Sequence, residues 1–555
     1  MRGAIRTPVG CLCVAPLLFL ASCQSSNHKI APGRESVSAR PDLNLLLVMI
    51  DTLRADRLGC YGYSKIETPN LDQLAREGVL FENAITNTPL TAPSHASIFT
   101  GLYPTVHEVR DTGGFILQSS HQTLAQILQQ QGRETATFVG SSVLKKQFGF
   151  NAGFAVYDDE MPRADPRKIA GEYAERRAGE VDRAISWLGS QSGRPFMLWV
   201  HVFDPHSTYD PPAPFREKYR GRLYDGEVAY TDHELGPLFA AVARKSPARN
   251  TLIAVLSDHG ESLSEHGEYT HGVFLYDSML RIALLLSGPG VPVALRVKSQ
   301  ARTIDVLPTL LELMGSKAPA EIQGNSLVPA FTGQPVASWS YLETLHPKII
   351  MGWAELRGIR TNGWKYIQAP KPELYDLVKD PGETTNVIGE NPAEVRQMDA
   401  DLRAVADSGA RVKTTMVDQC TMAQLKSLGY LGGSSGREYA LTSKGIDPKD
   451  RIEVLKLLYL AVSPFAGTAT PRQIPMLRRA PAEDPANPSI YYRLGNEYAR
   501  AARRGEATKL YQDAIRNGLG NAWLFSRLGY LYLQQGARDE AIASYEKGNS
   551  IEPVR

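Results

Sequence analysis

Three apolar runs in this 555-residue chain stop at acidic and histidine side chains. Leu45-Leu46-Leu47-Val48-Met49-Ile50 stops at Asp51, Phe196 to Phe203 stops at Asp204-Pro205-His206, and Thr251 to Ser257 stops at Asp258-His259-Gly260, with His271-Gly272 following. A fourth group, Thr91-Ala92-Pro93-Ser94-His95-Ala96-Ser97-Ile98-Phe99-Thr100-Gly101, has the punctuation of a helix. Pro93 fits its first turn, Ala96 to Phe99 propagate it and Gly101 ends it. Thr91 then sits at the positive end of a helix dipole, which favours an anion beside it and eases loss of its own proton. Alone, such a threonine would be read as a simple N-cap. Beside three strand ends carrying Asp and His it becomes a candidate nucleophile.

The elements that must position these groups follow from their pattern. Each run is apolar on both faces, as a central strand must be, and amphipathic stretches alternate with them from 42 to 430. This predicts an α/β domain with a mostly parallel central sheet flanked by helices, whose ligand sits outside the carboxyl ends of the strands. His206, in Asp204-Pro205-His206-Ser207-Thr208-Tyr209-Asp210-Pro211-Pro212, belongs to that rim, and Asp204 becomes a ligand only if a second metal binds. His95 lies one helical turn beyond Thr91 and reads either as a polar helix residue or as part of the site. His201 is in mid-strand and is expected to be a core histidine with its ring hydrogen-bonded. His266, in the loop between His259 and His271, is left outside the site.

Composition narrows the function. Lys and Arg number 61 against 59 acids, and loss of residues 1–22, which hold Arg2 and Arg6 and no acid, leaves the chain formally neutral. That gives no electrostatic reason to expect nucleic acid as a partner. Five cysteines, at 11, 13, 23, 60 and 420, exclude a disulfide scaffold and argue against a thiolate metal site. Residues 1–22 read as an export signal, with Arg2 and Arg6 before an apolar Val9 to Leu20 too short to span a bilayer as a stable helix. Leu20-Ala21-Ser22-Cys23 resembles the bacterial lipobox, which implies cleavage before Cys23 and a lipid on its thiol. Residues 23–41 are a polar tether. The expected location is the bacterial cell envelope or periplasm, with a lipid anchor in the membrane.

Taken in order, Asp51-Thr52-Leu53-Arg54-Ala55-Asp56, Thr91 to Gly101, Asp258-His259-Gly260, Trp364-Lys365-Tyr366, Glu373-Leu374-Tyr375-Asp376-Leu377 and Asp380-Pro381 resemble the sulfatase-like branch of the alkaline phosphatase superfamily. The resemblance runs from about Leu45 to Asn386. Sulfatases of the family convert Cys or Ser of a C/S-x-P-S-R motif to formylglycine. This chain has Thr91 and His95 at the first and last positions, Thr52 in place of a second Asp, and no match to a Gly-Lys-Trp-His stretch near Phe138 to Ser142. Asp258 to Gly272 is instead similar to the phosphoethanolamine transferases, which use an unmodified threonine. Carried over position by position, Asp51, Thr91, Asp258 and His259 are implied metal ligands, and His206 and His271 are implied to face a phosphate or a second metal. The implied cofactor is one or two divalent ions, zinc or manganese, or calcium for a true sulfatase. The implied chemistry is attack by Thr91, with His271 or His206 as proton donor, on a small-molecule or envelope-polymer phosphoester, by hydrolysis or phosphotransfer. A sulfuric ester hydrolase working without formylglycine and a catalytically weak envelope scaffold are the alternatives.

The tail follows a different rule. Leu494-Gly495, Tyr498, Ala507, Tyr511 and Ala514 recur 34 residues later as Leu528-Gly529, Tyr532, Ala541, Tyr545 and Gly548. This resembles the tetratricopeptide repeat, so residues 431–449 are expected as a linker and 450–555 as all-α helical repeats, with a worn first copy over Ile452 to Leu477. So few repeats rarely hold alone, and the module should lean on the catalytic domain, as a cap or as a surface for a protein partner.

Overall fold

The computed structural model describes residues 42–161, 178–191, 193–245, 250–336, 339–406, 411–415, 438–460 and 473–551, all within one compact unit. The export segment, the tether and Cys23 lie outside the described residues. The core is a nine-stranded sheet of β1 (Asn44–Ile50), β2 (Val79–Ile85), β3 (Glu134–Val139), β4 (Val156–Asp158), β5 (Phe196–Val202), β6 (Thr251–Ser257), β7 (Arg281–Ile282), β8 (Leu284–Ser287) and β9 (Leu295–Arg302). Its order is β4-β3-β5-β1-β6-β8-β2-β7, with β9 paired to β2. The five strands from β4 to β6 run parallel, and β8 turns the sheet antiparallel.

The three runs singled out in the sequence are the three central neighbours, β5, β1 and β6. Their apolar residues alternate between two cores as a period of two requires. Leu45, Leu47, Met49, Met197, Trp199, Leu252, Ala254 and Leu256 face one side, while Leu46, Val48, Ile50, Leu198, Val200 and Val255 face the other. The first side also receives Ala92, Ala96, Ile98 and Phe99 of the helix Thr91–Thr100. Every residue of that helix is buried, and Gly101 closes it at φ 69°, a left-handed turn that glycine takes without strain.

A second sheet, β10 (Ser340–Thr344), β11 (Leu356–Arg360), β12 (Trp364–Gln368) and β13 (Glu373–Asp376), is wholly antiparallel. It carries the late motifs and is tied to the core by Lys365, whose fully buried ammonium meets Asp277 and Glu383.

Beyond it, the segment read as a linker is built into the protein from Glu438 onward; residues 431–437 lie outside the described residues. Strand β14 (Arg411–Lys413) pairs with β15 (Glu438–Ala440). Lys371 N donates to Asp447 at 2.8 Å, and Ser443 N donates to Glu355 at 2.6 Å. The repeats then form helix pairs, Pro488–Arg500 with Arg504–Ala514 and Ala522–Gln534 with Arg538–Ile551. Gly495 and Gly529 leave the room into which Tyr511 and Tyr545 pack, which accounts for the Gly and Tyr positions of the 34-residue period. Trp353 Nε1 donates to Asp484 at 2.7 Å and Ser489 Oγ to the Ile350 carbonyl at 3.0 Å, so the module leans on the catalytic region. The helix Ile452–Leu460 also covers the turn Glu265–Gly267: Ile452 packs over Gly267, and Tyr459 stacks on Tyr269 with ring centres 4.9 Å apart.

Candidate active site

The parallel register brings Asp51 and Asp258 to neighbouring strand ends, since Ile50 pairs with Ser257 one residue before each. The connection after β1 turns sharply at Thr52, whose φ of 56° is uncommon for a β-branched residue and costs about 1–3 kcal/mol. Two contacts hold it. Thr52 N donates to Asp258 Oδ1 at 3.2 Å, and the Thr52 carbonyl accepts from the Tyr224 hydroxyl at 2.8 Å. The Thr91 helix is clamped to the same loop through Ser94 Oγ, which donates to the Asp258 carbonyl at 2.7 Å.

These constraints converge on one point. Thr91 Oγ1 lies 3.3 Å from His259 Nε2, and that nitrogen lies 3.7 Å from Asp51 Oδ1 and 3.5 Å from Asp258 Oδ2. His259 Nδ1 contacts the Gly260 carbonyl at 2.9 Å. A carbonyl only accepts, so Nδ1 carries the proton and Nε2 presents a lone pair to the centre. Asp258 Oδ1 accepts from the backbone of Thr52 and His259, while Oδ2 has no hydrogen-bond partner among the described residues. Asp51, Asp258 and His259 each offer an atom within 4.8 Å of the others, all buried. This hard oxygen and nitrogen set fits a divalent cation such as zinc or manganese.

The two remaining site histidines are on the rim beside that centre. His271 packs against His259 and His206, with ring centres 4.4 and 5.0 Å apart. Its Nδ1 lies 2.9 Å from Glu261 Oε1. Burial drives the Glu261 carboxyl well above its usual range and the His271 imidazolium well below its own, which favours the uncharged form of each. His206 stacks on Phe203 at 4.5 Å, with Nδ1 held to the Ser207 carbonyl at 2.7 Å.

His201 departs from expectation. It is fully buried as foreseen, yet neither ring nitrogen has a hydrogen-bond partner among the described residues. It pairs in register with Met49, on the side of the sheet facing the Thr91 helix. Its Nε2 lies 3.7 Å from Asp51 Oδ2, and its ring centre is 5.0 Å from that of His95. His201 therefore belongs to the site rather than to a satisfied core, and His95 points into the same group. Glu261 and Tyr224, the props of His271 and Thr52, were not singled out in the sequence. The Asp258-His259-Gly260-Glu261 run held the signal for the first; nothing local marks the second.

Aspartates and a histidine at the ends of a mixed sheet, with a threonine at a helix start beside them, form the site of a hydrolase acting on ester bonds. Residues 43–316 match the family model described as Sulfatase, and residues 264–407 the model of the N-sulphoglucosamine sulphohydrolase C-terminal region. The catalytic region belongs to the sulfatase family, and residues 524–555 match a tetratricopeptide repeat.

Arylsulfatase K of Bos taurus is 25% identical over 464 residues, covering 68% of this chain and 85% of that protein. Delta 4,5-hexuronate-2-O-sulfatase of Bacteroides thetaiotaomicron is 23% identical, covering 63% and 86%. Among solved structures, the phosphonate monoester hydrolase of Agrobacterium radiobacter superimposes with a TM-score of 0.57 at 21% identity, over 65% of this chain and 95% of that one. The chain is thus a sulfatase-family hydrolase with a helical repeat module.

Proposed function

We propose that this protein is an exported, lipid-anchored hydrolase or phosphotransferase that attacks a phosphoester with the unmodified hydroxyl of Thr91. The observation that carries this reading is the position of Thr91 Oγ1, 3.3 Å from His259 Nε2, on the first residue of a buried helix. Asp51, Thr91, Asp258 and His259 would hold the divalent ion, zinc or manganese. When bound, the ion lowers the pKa of the threonine hydroxyl and neutralises charge that builds on the transferring oxygens.

The chain's own groups do the rest. With the one lone pair of His259 given to the ion, the Thr91 hydroxyl proton would pass to solvent water, leaving an oxygen lone pair aimed at substrate. Thr91 Oγ1 bonds to phosphorus as the leaving oxygen departs. His271 gives its Nε2 proton to that oxygen and takes the Glu261 proton at Nδ1. Water or an acceptor hydroxyl then attacks phosphorus, giving its proton to His271 Nε2 while the Nδ1 proton returns to Glu261, and Thr91 is freed. A formylglycine hydrate can expel sulfate by re-forming its carbonyl, whereas Thr91 has no second hydroxyl on its carbon and must be released by attack at the transferred group. That difference favours phosphate.

A sulfuric ester hydrolase is the second reading, favoured by the relatives, which are named for arylsulfate and hexuronate 2-O-sulfate hydrolysis. The test is initial rates on nitrophenyl phosphate, phosphodiester and sulfate with zinc or manganese, beside Thr91→Ala. Faster turnover of a phosphate ester that Thr91→Ala abolishes supports the threonine mechanism. Sulfate turnover that outruns both phosphates would sink it. The anchor at Cys23 is tested by incorporation of labelled palmitate, lost in Cys23→Ser, and the repeats offer a surface for a protein partner in the envelope.

A further inference from the structure

Behind the nucleophile lies a second group of donors, of which the proposed reaction uses only Asp258. His95, His201 and Asp258 each offer one atom within 4.8 Å of the others, and all three are fully buried. His95 Nδ1 contacts the Thr91 carbonyl at 2.8 Å. That carbonyl fixes the proton on Nδ1 and leaves His95 Nε2 a bare lone pair, with no hydrogen-bond partner among the described residues. Neither nitrogen of His201, one of which carries a lone pair, has a hydrogen-bond partner among the described residues, nor has Asp258 Oδ2.

Buried polar atoms are almost always satisfied, by protein, by water or by an ion. Here one nitrogen of each histidine and one oxygen of Asp258 come together, beside Trp199 and Phe150, whose ring centres lie 5.6 and 6.5 Å from that of His95. Lone-pair nitrogens and a carboxylate oxygen are what a cation needs.

We propose that His95, His201 and Asp258 bind a second divalent transition-metal ion of the zinc class, which shares Asp258 with the ion held by Asp51 and His259. Two imidazoles with a carboxylate suit zinc or cobalt better than magnesium or calcium. Asp258 belongs to both donor sets, and its Oδ2, 3.5 Å from His259 Nε2, is the oxygen left without a hydrogen-bond partner among the described residues. The proposal shares one ligand with the catalytic reading but does not depend on which ester is cleaved.

The test is metal stoichiometry on the full purified chain, read by elemental analysis and by titration of the metal-stripped protein with Co2+, whose visible absorption reports nitrogen ligation. Wild type is expected to take up two equivalents in two phases. His95→Gln and His201→Gln should each keep one equivalent, and Asp51→Asn should lose the other. A single phase of one equivalent in wild type, unchanged in amount by the histidine variants, overturns the second site and leaves the first. No uptake at all overturns both. Should a variant fail to fold, the one-phase or two-phase titration of wild type still decides.

Discussion

The strand ends of the catalytic sheet and the helical repeats are built on opposite principles. At the strand ends, single residues occur once and are held by backbone: Asp258 by the amides of Thr52 and His259, Ser94 by the Asp258 carbonyl, Thr52 by Tyr224. In the repeats the same small-and-large pair recurs, Gly495 with Tyr511 and Gly529 with Tyr545, and no member has chemistry to perform. A change at the strand ends should therefore remove activity and spare the fold, while a change in the repeats should loosen the fold and spare activity.

The sharpest break would come at Thr91. Thr91→Ala is expected to lower kcat/KM by about 10⁴-fold or more with an unchanged melting temperature, as loss of a nucleophile does. Equal rates with and without the hydroxyl would remove it from the mechanism. His271→Gln comes next, with a loss of about 10²-fold that shrinks as the leaving group becomes more acidic, because a good leaving oxygen needs no proton. A loss independent of leaving-group acidity would leave His271 only a packing role.

The contrast can also be tested through pH. Glu268 accepts from Val273 N and Phe274 N, and burial pushes its carboxyl up to about 8 against about 4.3 in an unfolded chain. The folded state holds the proton more tightly, so the contribution is complete below the unfolded value and is lost as pH rises through the folded one. The melting temperature should fall between about pH 5 and 8 for this reason, and Glu268→Gln, which cannot ionise but keeps only one of the two acceptor oxygens, should flatten that part of the curve while lowering it throughout.

In the repeats, Gly495→Val would drive a side chain into Tyr511 and destabilise the module by about 1–3 kcal/mol. The expected readout is an earlier calorimetric transition, with the turnover of the catalytic region at 25 °C preserved. Smallest of all, Trp353→Phe removes one hydrogen bond to Asp484 and should cost about 1 kcal/mol at the seam between the two regions.

Much of this was legible in the sequence where a residue type announces its own surroundings. The β1, β5 and β6 runs are apolar on both faces and could only be central strands. Thr91 to Gly101 carries its own start and stop, and the 34-residue period needs no structure to be seen. His201 was misjudged for a physical reason. In a strand buried on both sides, alternation does not say which face meets the site, and that choice depends on the register with Met49. The antiparallel β8 and the packed segment after Glu438 are likewise products of long-range pairing, which local pattern does not encode. Tyr224 lies within a long helix and reaches Thr52 only through tertiary packing.

The helix Ile452–Leu460, seated on the Glu265–Gly267 turn with Tyr459 against Tyr269, has a consequence for the gene. A reading frame stopped after residue 430 would encode every group named in the catalytic steps, and so would look like a minimal enzyme. Its product would instead bare Ile350, Trp353 and the turn that precedes His271. The yield of soluble protein from such a frame, set against the full-length gene, would report how far the repeats have become a part of the enzyme rather than a passenger on it.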